Sequence, residues 1–247
     1  MFMKIFKLVL ISFFLITSAN SNSIYNLIKI PNLEIYELKT PNKLKYFYAT
    51  KPFRLGVQKN ISCINSDTKT YDEKYQIISK NLSRYSKEFL RKINLKYIVM
   101  CENLSVSQIR AAGVPNITTR TLVVDIKFNE EHFERVLHHE IFHMINDSHK
   151  KKFLFEEWKN FNNSEFKYAK CSTCSDRLGL SLLKENKGFV TEYSMSTASE
   201  DMAEVFSFLI TDKKKIENKA LKDPILNKKI LFLKKNILKV DENFNFN

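Results

Sequence analysis

Glycine and proline are scarce in this sequence of 247 residues, with 4 and 5 occurrences respectively. This scarcity excludes collagen-like and low-complexity architectures, which are rich in these residues. No segment repeats at a fixed period, which excludes solenoids and propellers. With 44% hydrophobic and 27% charged residues, the composition predicts a globular protein with one sizeable core.

Long hydrophobic runs are also missing. The most apolar run, residues 8–16, is too short to cross a bilayer, which takes about 20 residues. Lys4 and Lys7 precede this run, and small residues at 17–21 follow it. This order predicts a cleavable signal peptide over residues 1–21, and hence a secreted or periplasmic protein. No cysteine follows the run, so a lipid anchor is not indicated.

Aromatic-basic motifs of nucleic-acid-binding modules are missing too, although the formal net charge is +13. The lysines are spread along the chain, which favours a generally basic, solvated surface. We therefore predict no nucleic-acid partner. Contact with an anionic cell-envelope surface stays open, and the sequence does not indicate an oligomeric state.

Four cysteines in an exported chain predict two disulfides. Cys171 and Cys174 form a C-x-x-C motif, which leaves Cys63 and Cys101 for each other, although three pairings are possible in principle. A redox dithiol or half of a second zinc site are the alternatives for C-x-x-C. The sequence offers neither a thioredoxin-like setting nor a second ligand pair, so structural disulfides are favoured.

Hydrophobic spacing predicts an α+β fold in which a small sheet packs against helices. Helices are predicted over residues 71–94, 129–146 and 197–211 and in the lysine-rich tail, and strands over residues 96–101 and 121–128. Three segments are predicted to be less regular: an N-terminal segment of uncertain structure (22–70), a loop (102–118) and a long insertion (150–190).

The predicted helix over residues 129–146 carries H-E-x-x-H at His139, Glu140 and His143. Positions i and i+4 of a helix lie about 40° apart in projection, so both imidazoles can bind one ion. The glutamate between them lies near the open metal position, where it can act as a general base. Two histidines and a glutamate on a buried helix are costly unless they bind a ligand. The motif therefore predicts zinc.

The third ligand is ambiguous from spacing alone. His149 completes H-E-x-x-H-x-x-G-x-x-H, the metzincin spacing, with Asn146 in place of glycine, and Met195 could serve as a Met-turn. Asn tolerates the positive φ that such a turn needs. Glu156 and Glu157 are weaker candidates.

A second segment carries a family resemblance. Tyr193 is followed seven residues later by Glu200, which begins an E-x-x-A-E-x-F sequence through Ala203, Glu204 and Phe206. Together with H-E-x-x-H, this resembles the catalytic domain of the anthrax lethal factor and the broader group of bacterial zinc-binding metallopeptidases. The resemblance covers residues 71–240 and is sharp only in these two segments.

The resemblance implies a zincin-like domain over residues 71–247, with Glu200 as third zinc ligand and Tyr193 as a hydrogen-bond donor to an oxyanion. The C-x-x-C insertion departs from the lethal-factor pattern, so substrate recognition cannot be inferred from it. Two simpler interpretations compete. Thr197 and Glu200 match a helix capping box, and Tyr193 could be an ordinary half-buried core residue.

These observations predict a zinc-dependent peptidase that hydrolyses peptide or protein substrates, with Glu140 as general base. One alternative is a zinc-stabilised binding protein or pseudoenzyme, although an intact Glu140 argues against it. The other is an amide hydrolase that acts on cell-wall peptides. Glu204 lies one helical turn beyond Glu200, where it could accept a hydrogen bond from a ligating histidine. His149 would then be a surface residue.

Overall fold

A mixed, open sheet of eight strands organises the computed structural model, which describes residues 30–246. The strands are β1 (Leu33–Glu37), β2 (Lys45–Ala49), β3 (Phe53–Leu55), β4 (Ile61–Ile64), β5 (Tyr97–Val106), β6 (Ile109–Arg110), β7 (Gly113–Asn116) and β8 (Thr121–Asp125). The first four lie in the segment whose structure the sequence leaves uncertain, so the sheet is larger than predicted. The signal peptide predicted over residues 1–21 lies outside the described residues.

Strand β5 is shared by the two halves of the sheet. Its first half pairs in parallel with β2 on one side and β8 on the other. Its second half pairs antiparallel with β4 and β6. The first half, residues 97–101, is an unbroken buried run, which is typical of a parallel strand covered on both faces. Strand β7 pairs antiparallel with β8.

The loop predicted over residues 102–118 was wrong, because this segment contains the second half of β5 together with β6 and β7. Polar residues there pair across strands, as in the contact of 2.8 Å between the Ser62 and Ser105 hydroxyls. Gly113 and Pro115 suggested a break in the sequence. They lie instead in β7, which pairs with β8 alone among the described strands, and proline is tolerated in such an edge strand.

Seven α-helices are described in residues 30–246: α1 (Thr68–Leu82), α2 (Lys87–Lys92), α3 (Phe133–Ser148), α4 (Phe155–Lys159), α5 (Ala198–Thr211), α6 (Lys213–Ala220) and α7 (Pro224–Val240). The helix predicted over residues 71–94 is divided, because the Ser86 hydroxyl accepts the Phe89 amide hydrogen bond at 3.0 Å and starts α2. The helices predicted over residues 129–146 and 197–211 are confirmed as α3 and α5. None of the described helices combines the length and apolar character needed to cross a membrane.

Helices α3 and α5 pack against each other in the larger of two hydrophobic clusters, which also receives one face of β5 and β8. Leu137, Ile141, Phe206 and Leu209 are fully buried there. This packing fixes the relative position of the two helices that carry the candidate metal ligands.

Both predicted disulfides are confirmed. Cys63–Cys101 joins β4 to β5 and is buried, whereas Cys171–Cys174 closes a short turn in the insertion, close to the surface. The first therefore fastens the N-terminal strands to the centre of the sheet, and the second constrains a surface turn.

A buried ion pair fastens α7 and the insertion to α5. The Lys229 ammonium group donates to Asp201 at 2.6 Å and to the Gly188 carbonyl at 2.7 Å, and both charged side chains are fully buried. The Trp158 indole donates to the same Asp201 oxygen at 2.8 Å. A buried charge is tolerated only when it is paired and hydrogen-bonded, so these contacts anchor three segments immediately beside Glu200.

Candidate metal centre

Three side-chain atoms from α3 and α5 converge at one point. The Nε2 atoms of His139 and His143 lie 3.1 Å apart, and Oε2 of Glu200 lies 2.9 and 3.2 Å from them. Tetrahedral zinc with bonds of about 2.1 Å separates its ligand atoms by about 3.4 Å. The spacing and the two-nitrogen, one-oxygen donor set therefore fit a zinc ion with a further position open.

The start of α5 places Glu200 in the site. The Thr197 hydroxyl accepts the Glu200 amide hydrogen bond at 3.3 Å, which begins the helix with Glu200 in its first turn. In a full capping box the glutamate carboxylate would return to the backbone of the capping residue. Here that carboxylate contacts His139 and His143 instead, so the cap alone does not explain Glu200.

Glu204 orients the His139 ring. Its Oε1 accepts a hydrogen bond from His139 Nδ1 at 2.8 Å, which is the contact predicted from the helix spacing. Its Oε2 accepts from Arg135 at 2.6 Å and from the Thr191 hydroxyl at 2.8 Å. With Nδ1 used in this way, Nε2 of His139 is left to face the other two ligand atoms.

Arg135 and Thr191 were not predicted from the sequence. Arg135 stands four residues before His139 on α3 and is 5% exposed. That spacing is a signal that could have identified it. Thr191 lies in an irregular segment just after the insertion, and no sequence pattern indicates it.

The charges of the site raise the pKa of His139 and lower the pKa of Glu200. Burial lowers the pKa of His139, but hydrogen bonds and charges from Glu200 and Glu204 outweigh it and raise that pKa to about 10. Burial raises the pKa of Glu200, and the two histidines reverse this and lower it. Glu200 therefore stays an anion at neutral pH, as a metal ligand must.

Glu140 lies beside the ligand atoms and against strand β7. Its side chain is 7% exposed, and burial raises its pKa. A methyl group at Gly113 would lie 2.7 Å from Cγ of Glu140 and 3.2 Å from its Oε2. Only a glycine leaves room for the carboxylate at this point of the edge strand.

Tyr193 packs against His139. Its ring stacks on the His139 ring with centroids 5.8 Å apart, which places Tyr193 beside the ligand cluster. Burial raises the pKa of Tyr193. The phenol therefore keeps its proton at neutral pH and can donate a hydrogen bond.

Two further histidines, His138 and the alternative ligand His149, lie away from these atoms. His138 is fully buried between the Tyr85 hydroxyl and Asn81, and burial lowers its pKa to about 3. Nε2 of His149 donates to the Lys92 carbonyl at 3.0 Å, so its ring is directed away from the ligand cluster.

The other weaker candidates lie outside the cluster as well. Glu156 is exposed and pairs with Lys159, and Glu157 is exposed on the same short helix. Among the residues that the structure describes, the group arranged to hold a metal consists of His139, His143 and Glu200.

Comparisons with known proteins identify the family of the chain. The sequence profile of a family described as "Putative zinc-binding metallo-peptidase" matches residues 113–240, which is just over half of the chain. A crystal structure of a protein with the same description from Bacteroides caccae superposes with a TM-score of 0.52 at 21% identity, covering 81% of this chain and 80% of that one. This likeness shows the fold alone, and a search of curated proteins finds no match. The extent of the profile match places the chain in this family of zinc-binding metallo-peptidases, and its cofactor is zinc, as the motif predicts.

Proposed function

We propose that the protein is a zinc-dependent peptidase in which His139, His143 and Glu200 hold the metal and Glu140 is the general base. The observation that carries the proposal is the convergence of the three ligand atoms at 2.9–3.2 Å from one another. Glu140 lies beside this cluster without belonging to it. A zinc site with structural purpose alone has no need of such a base.

Each side chain of the site has a separate role in the proposed hydrolysis. Bound zinc supplies a Lewis acid and lowers the pKa of water to about 7. Glu140 takes a proton from the attacking water and later returns it to the leaving amine. Tyr193 donates a hydrogen bond to the oxygen that becomes negative. Glu204, held by Arg135 and Thr191, keeps the His139 ring in place.

We extend the proposal to a zincin type of site, similar to that of the lethal-factor catalytic domain. Support comes from the order of elements, in which β5 and β8 precede the H-E-x-x-H helix and a glutamate-bearing helix follows. We also propose that the protein works outside the cytoplasm, as the predicted signal peptide indicates. Two disulfides support an oxidising location.

A screen of a mixed peptide library with the zinc-loaded full chain tests the proposed function. We expect internal peptide bonds to be cleaved by the wild type and not by the zinc-loaded Glu140→Gln variant. Zinc binding without any cleavage would favour the pseudoenzyme alternative. Cleavage restricted to cross-linked cell-wall peptides, supplied as a separate substrate, would favour the amide hydrolase alternative.

The contact between Gly113 and Glu140 leads to a separate prediction. Gly113→Ala should leave zinc content near the wild-type value and lower kcat about 10–100-fold, because the added methyl group displaces the base from its position. Peptide cleavage and metal analysis of the same samples measure both effects.

The matched control is Val114→Ala in the same strand, whose side chain points to the opposite face of the sheet. This variant disturbs β7 without touching Glu140. Equal losses of activity in the two variants would attribute the effect to the strand and contradict the proposed contact.

A further inference from the structure

A cavity of about 520 Å³ opens next to the candidate metal centre, between the insertion and the first residues of α5. Ser199 forms part of its wall, and the Ser199 hydroxyl also lies 3.4 Å from Nδ1 of His143. One side chain thus touches both the cavity and a proposed zinc ligand. Nδ1 is the ring nitrogen turned away from the ligand cluster, where Nε2 of His143 lies. The width of the His143 ring therefore separates the cavity from the metal position, a distance that about one or two residues of an extended peptide can span.

The wall of this cavity combines aromatic and cationic side chains. Phe155 and Phe166 supply aromatic surface, and the charged groups along the wall are Lys159, Lys167 and Lys170. No aspartate or glutamate is among the described residues that line it. Lys159 pairs with Glu156 at 2.8 Å, so the larger share of the positive field comes from Lys167 and Lys170, which are both exposed.

We propose that this cavity is a substrate subsite for an acidic side chain, Asp or Glu, close to the scissile bond of the peptide. The proposal rests on the proposed peptidase function and adds a substrate class to it. The aromatic wall accommodates the aliphatic part of the side chain, and the two lysines attract its carboxylate. A neutral side chain of equal size makes the same contact with the aromatic wall but is not attracted by the lysines.

Paired peptides that differ only by Glu or Gln at one position test the subsite. In separate peptide pairs, the Glu or Gln residue is placed at different positions before and after the bond that the wild type cleaves. At low salt we expect kcat/KM to be about fivefold higher for one Glu peptide than for its Gln partner, as for exposed charge pairs. This ratio should approach one in Lys167→Gln/Lys170→Gln and at high salt, because salt screens the attraction.

The control variant is Lys214→Gln/Lys228→Gln, which removes the same charge from exposed positions outside the cavity. It should keep the wild-type Glu-to-Gln ratio. A wild-type ratio of one at every position would overturn the subsite while cleavage itself upholds the peptidase function. An equal fall of the ratio in both double variants would show a general charge effect and also overturn it.

A binding measurement separates the subsite from catalysis. Fluorescence anisotropy with the Glu140→Gln full chain should show tighter binding of one labelled Glu peptide than of its Gln partner. This difference should vanish when Lys167→Gln and Lys170→Gln are added to the same chain. This result would support the subsite even if no peptide were hydrolysed. Equal binding of the two peptides would overturn it.

Discussion

Glu140→Gln should retain zinc and lower kcat/KM for peptide hydrolysis by about 10²–10⁴-fold, the usual contribution of a positioned general base. Glutamine has nearly the same size and fills the same space against β7, but it cannot accept the proton. Glu140 is outside the group of ligand atoms, so the substitution leaves the three proposed ligands in place. Kinetics on a cleavable peptide and metal analysis of the same sample measure the two properties.

The matched control for this substitution is Glu131→Gln, which makes the same chemical change at an exposed position just before α3. It should leave both zinc content and kcat/KM near their wild-type values. If Glu140→Gln hydrolysed peptides as fast as the wild type, Glu140 would not be the base.

Glu200→Ala should abolish most zinc binding, because it removes one of the three converging ligand atoms. Glu204→Ala should weaken zinc binding about 10–100-fold, since it leaves the His139 ring without its orienting hydrogen bond. His149→Ala should have almost no effect, because this ring contacts the Lys92 carbonyl instead. Zinc titrations of the three variants measure the series.

The Glu204 variant needs a stability control, because Arg135 is buried and pairs with Glu204. Removing one partner of a buried pair costs about 3–5 kcal/mol, so melting temperatures must accompany the titrations. Glu204→Gln, which keeps the size of the side chain, should lie between wild type and alanine. If the His149→Ala variant lost its zinc and the Glu200→Ala variant kept it, the site would instead have the metzincin arrangement.

The local part of the metal centre could be predicted from the sequence because its geometry is that of one helix. His139 and His143 lie on one face of α3 by spacing alone, and Thr197 marks the start of α5. The choice of Glu200 as third ligand came from the family resemblance, since capping explains a glutamate at that position equally well. The contact of Glu204 with His139 then followed from helical spacing.

The features that the sequence did not predict depend on contacts between residues that are distant in the chain. The strands before residue 65 have short apolar runs. Of these strands, β2 and β4 pair with β5, and β1 and β3 pair in turn with β2 and β4, an order that no local pattern encodes. Polar residues after Cys101 resemble a loop until a partner strand is placed beside them. Gly113 looked like a chain breaker in the sequence. The residue that requires a glycine there, Glu140, is distant in the chain and close only in the folded structure.

The buried pair between Asp201 and Lys229 has a consequence for biogenesis. These residues are 28 positions apart, so a ribosome releases Asp201 well before its counter-charge. Until α7 docks, a carboxylate adjacent to Glu200 has no buried cation to balance it, and full burial of that carboxylate is unfavourable. We therefore expect the first turn of α5, which carries Glu200, to reach its final position only after α7 has docked. We expect a chain truncated before α7 to bind zinc more weakly than the full chain, because Asp201 then lacks its buried cation.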